Sequence, residues 1–198
     1  MSEMCYEEIK ELISRLLNNK ENAIAVGIDG RCASGKTKLS KRLKEEFIAS
    51  VIHMDDFFLP RELRTKERLS SPGGNVHYER FETEVLERLR LIKSGIKEPF
   101  SYRRFDCSLM DFQREPVLCP AARLYIVEGA YSMRPELSDI YDLKIFSDIS
   151  HELQIERIMK RNGPNALPAF IEKWIPMEEK YFDFYKIKEN CDAVFIFI

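Results

Sequence analysis

Six residues in a row, Ala23-Ile24-Ala25-Val26-Gly27-Ile28, carry no charged or polar side chain, and a glycine-bounded turn follows them closely. That order constrains the fold more than any other feature. A short, partly β-branched apolar run suits a strand buried on both faces, as strands are in parallel sheets. After the turn, Leu39, Leu43 and Phe47 mark an amphipathic helix. Further short strands are expected at Val51-Ile52-His53-Met54, Leu124-Tyr125-Ile126-Val127, Leu143-Lys144-Ile145-Phe146 and Ala193 to Ile198. Helical patterns lie between them, notably Phe81 to Ile92 and Glu152 to Arg161. A first helix within residues 1–20 is marked by Ile9, Leu12, Ile13, Leu16 and Leu17 and ended by Asn18 and Asn19. Strands alternating with helices argue for a three-layer α/β fold around a parallel, five-stranded sheet.

The turn itself carries chemistry. Gly30-Arg31-Cys32-Ala33-Ser34-Gly35-Lys36-Thr37 matches G-x-x-x-x-G-K-[ST], the P-loop pattern of NTPases. Glycine lets backbone N–H groups close on phosphate oxygens, and the helix opening near Gly35 aims its positive end at the same anion. Lys36 is expected to reach the β and γ phosphates, and the Thr37 hydroxyl to ligate magnesium. The strand before and the helix after supply the context the motif needs. A plain strand-turn-helix corner is the alternative, and it would not require Lys and Thr together.

The chain has 198 residues, which suits one domain with a sizeable core. With 31 basic and 33 acidic side chains the formal charge is −2, so nothing suggests a nucleic-acid surface. No apolar run reaches the length of a membrane span, and the first twenty residues lack the apolar core of a signal peptide. A cytoplasmic protein with no membrane partner is expected, and the sequence leaves a homo-oligomer open. Five scattered cysteines without a C-x-x-C pair argue against zinc or a disulfide framework. Residues 59–120 include two long excursions, Leu59 to His77 and Ser94 to Pro120, of the kind that build substrate walls.

Phosphoryl transfer needs magnesium ligands, a group that orients the acceptor hydroxyl, and cations on the moving phosphate. Glu128 ends the third strand, where a doubly wound sheet opens its ligand crevice, and is placed to meet magnesium; a surface turn is the alternative. Asp55 and Asp56 end the second strand. Neighbours on an extended chain face opposite ways, so one should face the substrate and the other should not; a helix cap or turn pair is the alternative. Arg157, Lys160 and Arg161 lie on the helix after the fourth strand, with Asn162-Gly163-Pro164-Asn165 breaking it. Residues 157–176 therefore read as a short lid tipped with Arg157 and Arg161, or else as a solvated helix face. His53 lies in a strand and reads as a structural histidine.

Taken together, Gly30 to Thr37, Met54-Asp55-Asp56-Phe57-Phe58, Val127-Glu128-Gly129, Tyr141 to Asp148, Arg161 and Cys191-Asp192-Ala193-Val194 resemble the uridine kinase family, within the group that includes phosphoribulokinase and P-loop pantothenate kinase. The resemblance implies an ATP- and Mg2+-dependent kinase of a small hydroxyl-bearing acceptor, with a nucleoside favoured. It implies Asp55 as the residue that accepts or orients the acceptor hydroxyl, Phe58 in the nucleoside pocket and Tyr102 at the base. It also implies Glu128 near magnesium and Arg161 on the lid. The chain departs from the family pattern in several places: His77 stands where a ribose-gripping Asp is typical, Cys107 where a His is typical, the lid is shorter, and Arg157 is one place away from the second arginine that the resemblance implies. A pantothenate-like or sugar-phosphate acceptor is the second reading, with Arg103 and Arg104 as its extra cations. An acceptor-independent ATPase or switch protein is the third.

Overall fold

The computed structural model describes Ser2 to Phe197. Met1 and Ile198, the outer ends of the expected first helix and last strand, lie outside the described residues. In chain order the elements are β1 (Ser2–Met4), α1 (Tyr6–Asn19), β2 (Ile24–Gly30), α2 (Lys36–Phe47), β3 (Ser50–His53) and α3 (Lys66–Ser70). There follow α4 (Tyr78–Phe81), α5 (Glu87–Lys93), β4 (Phe100–Tyr102), β5 (Phe105–Asp106), β6 (Asp111–Phe112) and β7 (Val117–Cys119). The chain closes with β8 (Leu124–Glu128), β9 (Leu143–Asp148), α6 (His151–Asn162), α7 (Leu167–Ala169), α8 (Ile175–Tyr185) and β10 (Ala193–Ile196). A π-helical turn, Glu82–Leu86, joins α4 to α5, and a second, Phe170–Trp174, joins α7 to α8.

The main sheet is parallel, in the order β1-β10-β9-β2-β8-β3. It has six strands rather than the expected five. The extra one is Ser2–Met4, which pairs with β10 at the edge, Ser2 opposite Ala193. A three-residue edge strand with two polar side chains leaves no periodic signal, and the expected helix accordingly begins only at Tyr6.

Burial follows from the alternation of side chains along each strand. Ile24, Val26, Ile28, Leu124 and Ile126 face one apolar layer with Ile9 and Ile13 of α1 and Leu39 and Leu43 of α2. Ala25, Tyr125, Val127 and Ile52 face the other, with Phe57, Phe81, Leu89 and Phe182. The unbroken apolar run of β2 is thereby explained: both faces are covered, and all seven of its residues are buried. α6 starts where the Ser150 hydroxyl accepts from the backbone N–H of Leu153. The excursion 94–120 is not irregular. It folds into two small antiparallel pairs, β4 with β7 and β5 with β6.

In this strand order the two neighbours of β2 are β8 and β9, reached in opposite directions from it. The crevice above such a reversal is where open parallel sheets place ligands. The loop after β2, the end of β8 and the segment after β3 all emerge there.

Candidate active site

The loop after β2 is shaped by backbone sterics. Gly30 has φ +132°, and a Cβ there would lie 2.0 Å from the Ser147 carbonyl oxygen of β9. Gly35 caps α2 with φ +110°, also a conformation that side chains resist. Lys36 turns its Nζ back to donate to the carbonyl oxygens of Gly30 (2.7 Å) and Arg31 (2.8 Å). Cys32, Ala33, Gly35, Lys36 and Thr37 line an open cavity of about 1030 Å³. Gly30, Arg31 and Ser34 of the same loop are not part of its lining. The Arg31 side chain is turned aside by two carboxylates, Asp148 (2.7 Å) and Glu179 (2.8 Å). Burial pushes the Cys32 thiol up to about 12, so it is held neutral.

Three carboxylates converge on this loop. Glu128, buried at the end of β8, lies 3.3 Å (Oε1) and 3.4 Å (Oε2) from the Thr37 hydroxyl. It also meets His53 Nδ1 at 2.5 Å, since His53 stands directly opposite it across the β3–β8 pairing. That bond, more than any other influence, raises the His53 pKa. Asp55 opens into the cavity from the turn after β3. Enclosure by the cavity floor raises its pKa, and the nearby negative charge of Glu128 adds to this, against the pull of Lys36. The third is Glu178 of α8, a buried side chain whose Oε2 accepts the backbone N–H of Cys32 at 2.8 Å. Burial lifts it to about 6.

A fully buried acid, Asp29, holds the crevice together from beneath. It accepts from the backbone N–H groups of Gly30 (2.7 Å), Tyr131 (3.2 Å) and Met133 (3.0 Å) and from the Tyr181 hydroxyl (2.8 Å). One carboxylate thus ties the phosphate-loop strand to the turn after β8 and to α8.

The two aspartates divide as their adjacency requires. Asp55 faces the cavity, and Asp56 is buried against Tyr102 and Arg104. The Tyr102 hydroxyl donates to Asp56 Oδ2 at 2.8 Å, and Arg104 Nε lies 2.9 Å from Asp56 Oδ1. Neither Tyr102 nor Arg104 lines the cavity, because a buried carboxylate claims both. His77 is also absent from the lining; its backbone N–H donates to Phe57 as α4 begins. Arg103 is bound to Glu84 at 2.9 Å. Of the expected acceptor residues Phe58 does line the cavity, and so does Cys107.

Arg157, Lys160 and Arg161 line the opposite rim. Arg157 donates to the carbonyl oxygens of Ala33 (3.4 Å) and Phe197 (2.8 Å). Phe170, Lys173 and Trp174, from the π-helical turn, complete that wall. Sequence reasoning missed Arg64, Asn75, Tyr131 and Glu178, which also line the cavity. They lie in irregular segments or on a distant helix and share no spacing. His53 was legible in principle, since aligning the ends of β3 and β8 sets it opposite Glu128.

No family model matches the chain. The uridine kinase of Lactococcus lactis subsp. cremoris (strain MG1363) is 30% identical over 155 residues, covering 72% of this chain and 70% of that protein. The chain belongs to the uridine kinase family. It is a P-loop kinase in fold and in kinship. Among solved structures, a candidate fructose transport system kinase from Silicibacter sp. TM1040 is 20% identical with TM-score 0.69, covering 96% of this chain and 97% of the other. The D-glycerate 3-kinase of Cryptococcus neoformans is 16% identical with TM-score 0.62, covering 90% and 88%. At these identities the likeness is one of fold. Uridine kinase kinship thus agrees with the cradle at Gly30 to Thr37, and the fold is shared with kinases whose names give other acceptors. No helix among the described residues is long and apolar enough to cross a membrane.

Proposed function

We propose that the protein moves the γ-phosphate of ATP to a hydroxyl of a small metabolite, the hydroxyl being held against Asp55. One observation carries the reading: Asp55 opens into the same cavity as Lys36, Thr37 and Glu128, with cations on the facing rim. Phosphoryl transfer is mostly a matter of positioning and charge stabilisation, and the cavity sets those parts around one space.

Asp55 accepts or orients the acceptor proton. Its pKa is raised, chiefly by burial, and a raised pKa makes a carboxylate a stronger base. Lys36 neutralises the β and γ phosphates, after leaving the loop carbonyls of Gly30 and Arg31 to which it donates. The backbone N–H groups of Ala33, Gly35, Lys36 and Thr37 bind the phosphates, since those of Gly30, Arg31, Cys32 and Ser34 donate to Asp29, Ser147, Glu178 and Arg31. Arg157 and Arg161 offset charge on the moving group from the rim, and residues 157–176 act as the lid that brings them in.

The oxygens around Thr37 suit magnesium. That ion takes hard oxygen ligands, uses one or two carboxylates and fills the rest of its sphere with phosphate and water. The Thr37 hydroxyl and Glu128 carboxylate converge without forming a short hydrogen bond, and Asp55 opens beside them. Among the described residues no cluster of three or more His, Cys, Asp or Glu forms an all-protein cage, as this ion would not require one. When bound, it would neutralise phosphate charge.

The relatives named uridine kinase make a nucleoside the first acceptor to try. The test is ADP release from magnesium-ATP with and without uridine, cytidine, pantothenate and sugar phosphates, for the native protein and Asp55→Asn. Acceptor-stimulated release that drops by roughly 10² or more in the variant, with ATP binding kept, is expected. Near-native turnover in Asp55→Asn would remove Asp55 from the mechanism.

A further inference from the structure

The acceptor half of the cavity is bounded by Asp55, Phe58, Arg64, Asn75, Cys107 and Met110. Two of these side chains have polar groups that no well-formed hydrogen bond inside the protein satisfies. Arg64 donates through Nε to the Leu59 carbonyl oxygen at 2.8 Å, which fixes the plane of its guanidinium and leaves its terminal nitrogens beside the Cys107 thiol without an oxygen partner among the described residues. No carboxylate pairs with it among the described residues. Five other arginines of the region are paired: Arg68 with Glu79, Arg80 and Arg103 with Glu84, Arg104 with Asp56 and Arg134 with Glu136. Asn75 is 5% exposed, and neither its Nδ2 nor its Oδ1 has a hydrogen-bond partner. A buried amide without partners is costly, unless a ligand meets it.

Cys107 locates this cation relative to the chemistry. Its thiol is pushed up by burial, drawn down by Arg64 and pushed up again by Asp55, so both charges stand near it. An oriented guanidinium with free terminal nitrogens is a fork for a planar or tetrahedral oxyanion. A neutral nucleoside gives it nothing to bind.

Resting on the phosphotransferase reading above, we propose that the acceptor carries its own anionic group, a carboxylate or a phosphate, bound by Arg64, with Asn75 holding a polar group of the same molecule while Asp55 faces the reacting hydroxyl. The reaction is balanced as before: the acceptor O–H loses its proton to Asp55, an O–P bond forms to the γ-phosphorus, and ADP leaves. The cations for a sugar-phosphate acceptor were expected at Arg103 and Arg104, which the fold has committed to Glu84 and Asp56. Arg64 supplies the charge instead.

The test is ADP release from magnesium-ATP with three classes of hydroxyl compound: neutral (uridine, cytidine, fructose), carboxylate (D-glycerate, pantothenate) and phosphate (ribose 5-phosphate). Native protein is compared with Arg64→Gln and Arg64→Lys, all shown to melt alike. Stimulation by one anionic class is expected, and which class responds identifies the anion. Arg64→Gln should raise the KM for that acceptor by roughly 10- to 100-fold, the worth of a charged hydrogen bond, with a far smaller change in the KM for ATP. Arg64→Lys should recover part of the loss. Neutral acceptors turned over equally by native protein and Arg64→Gln would overturn the inference and leave the phosphotransferase reading standing. Equal rises in both KM values would place Arg64 on the nucleotide and also overturn it. ADP release raised by no class at all would sink the phosphotransferase reading and this inference together.

Discussion

Replacing Glu178 by glutamine keeps an oxygen that can accept the Cys32 N–H and removes a buried negative charge. The side chain is 6% exposed, and its pKa rises from 4.5 to about 6, chiefly through burial and against the attraction of Lys36. That displacement corresponds to about 2 kcal/mol of preference for the protonated form in the folded state. Because the folded value lies above the unfolded one, the stabilisation is complete below about pH 4.5 and is lost as pH rises through about 6. Native protein should lose about 2 kcal/mol over that window from this group alone, and Glu178→Gln should not. The gap between variant and native protein therefore widens with pH, reaching a melting difference of roughly 4–8 °C near pH 7 for a domain of this size. Thermal melts of the ligand-free proteins, followed by circular dichroism at pH 4.5, 5.5 and 7, measure it. A gap constant across that range, or one that shrinks as pH rises, would refute the reasoning.

Three further outcomes follow from the same geometry. Tyr102→Phe removes the donor to Asp56 and should cost roughly 1.5–3 kcal/mol in urea unfolding, while leaving the acceptor KM unchanged; a raised KM with native stability would return Tyr102 to the substrate pocket. Gly30→Ala places a Cβ 2.0 Å from the Ser147 oxygen at a φ that side chains resist, so soluble protein of native stability would contradict the described close approach of β2 and β9. Glu128→Gln should lower the His53 pKa, read by NMR of the imidazole ring, because the Glu128 hydrogen bond is the largest influence raising it; an unmoved titration would separate the two residues.

What could be read in the sequence was whatever depends on local periodicity. The run Ala23 to Ile28 announced a doubly buried strand, and the glycine pattern after it announced the cradle, because both are written in consecutive residues. The strand-end rule placed Glu128 and Asp55 at one crevice. Pairing of distant elements was not legible. Ser2-Glu3-Met4 has no alternation to show that it extends the sheet, and the hairpins within 94–120 are strands of two or three residues. The rule that adjacent residues face opposite ways foretold that one aspartate turns inward, and it was silent on what would meet it. Asp56 drew Tyr102 and Arg104 away from the cavity for that reason. Arg64 and Asn75 sit in a segment with no period, and Glu178 reaches the loop from more than a hundred residues away.

The destination of the γ-phosphate decides between transfer to an acceptor and simple hydrolysis. Phosphorus NMR of a reaction run to exhaustion of ATP, with magnesium and an equal mixture of uridine, D-glycerate and ribose 5-phosphate, reads that destination directly. ADP and a new phosphomonoester are expected in matching amounts, the phosphomonoester forming roughly 10²-fold more slowly in Asp55→Asn. Inorganic phosphate as the sole partner of ADP, formed at the same rate without any acceptor, would contradict transfer.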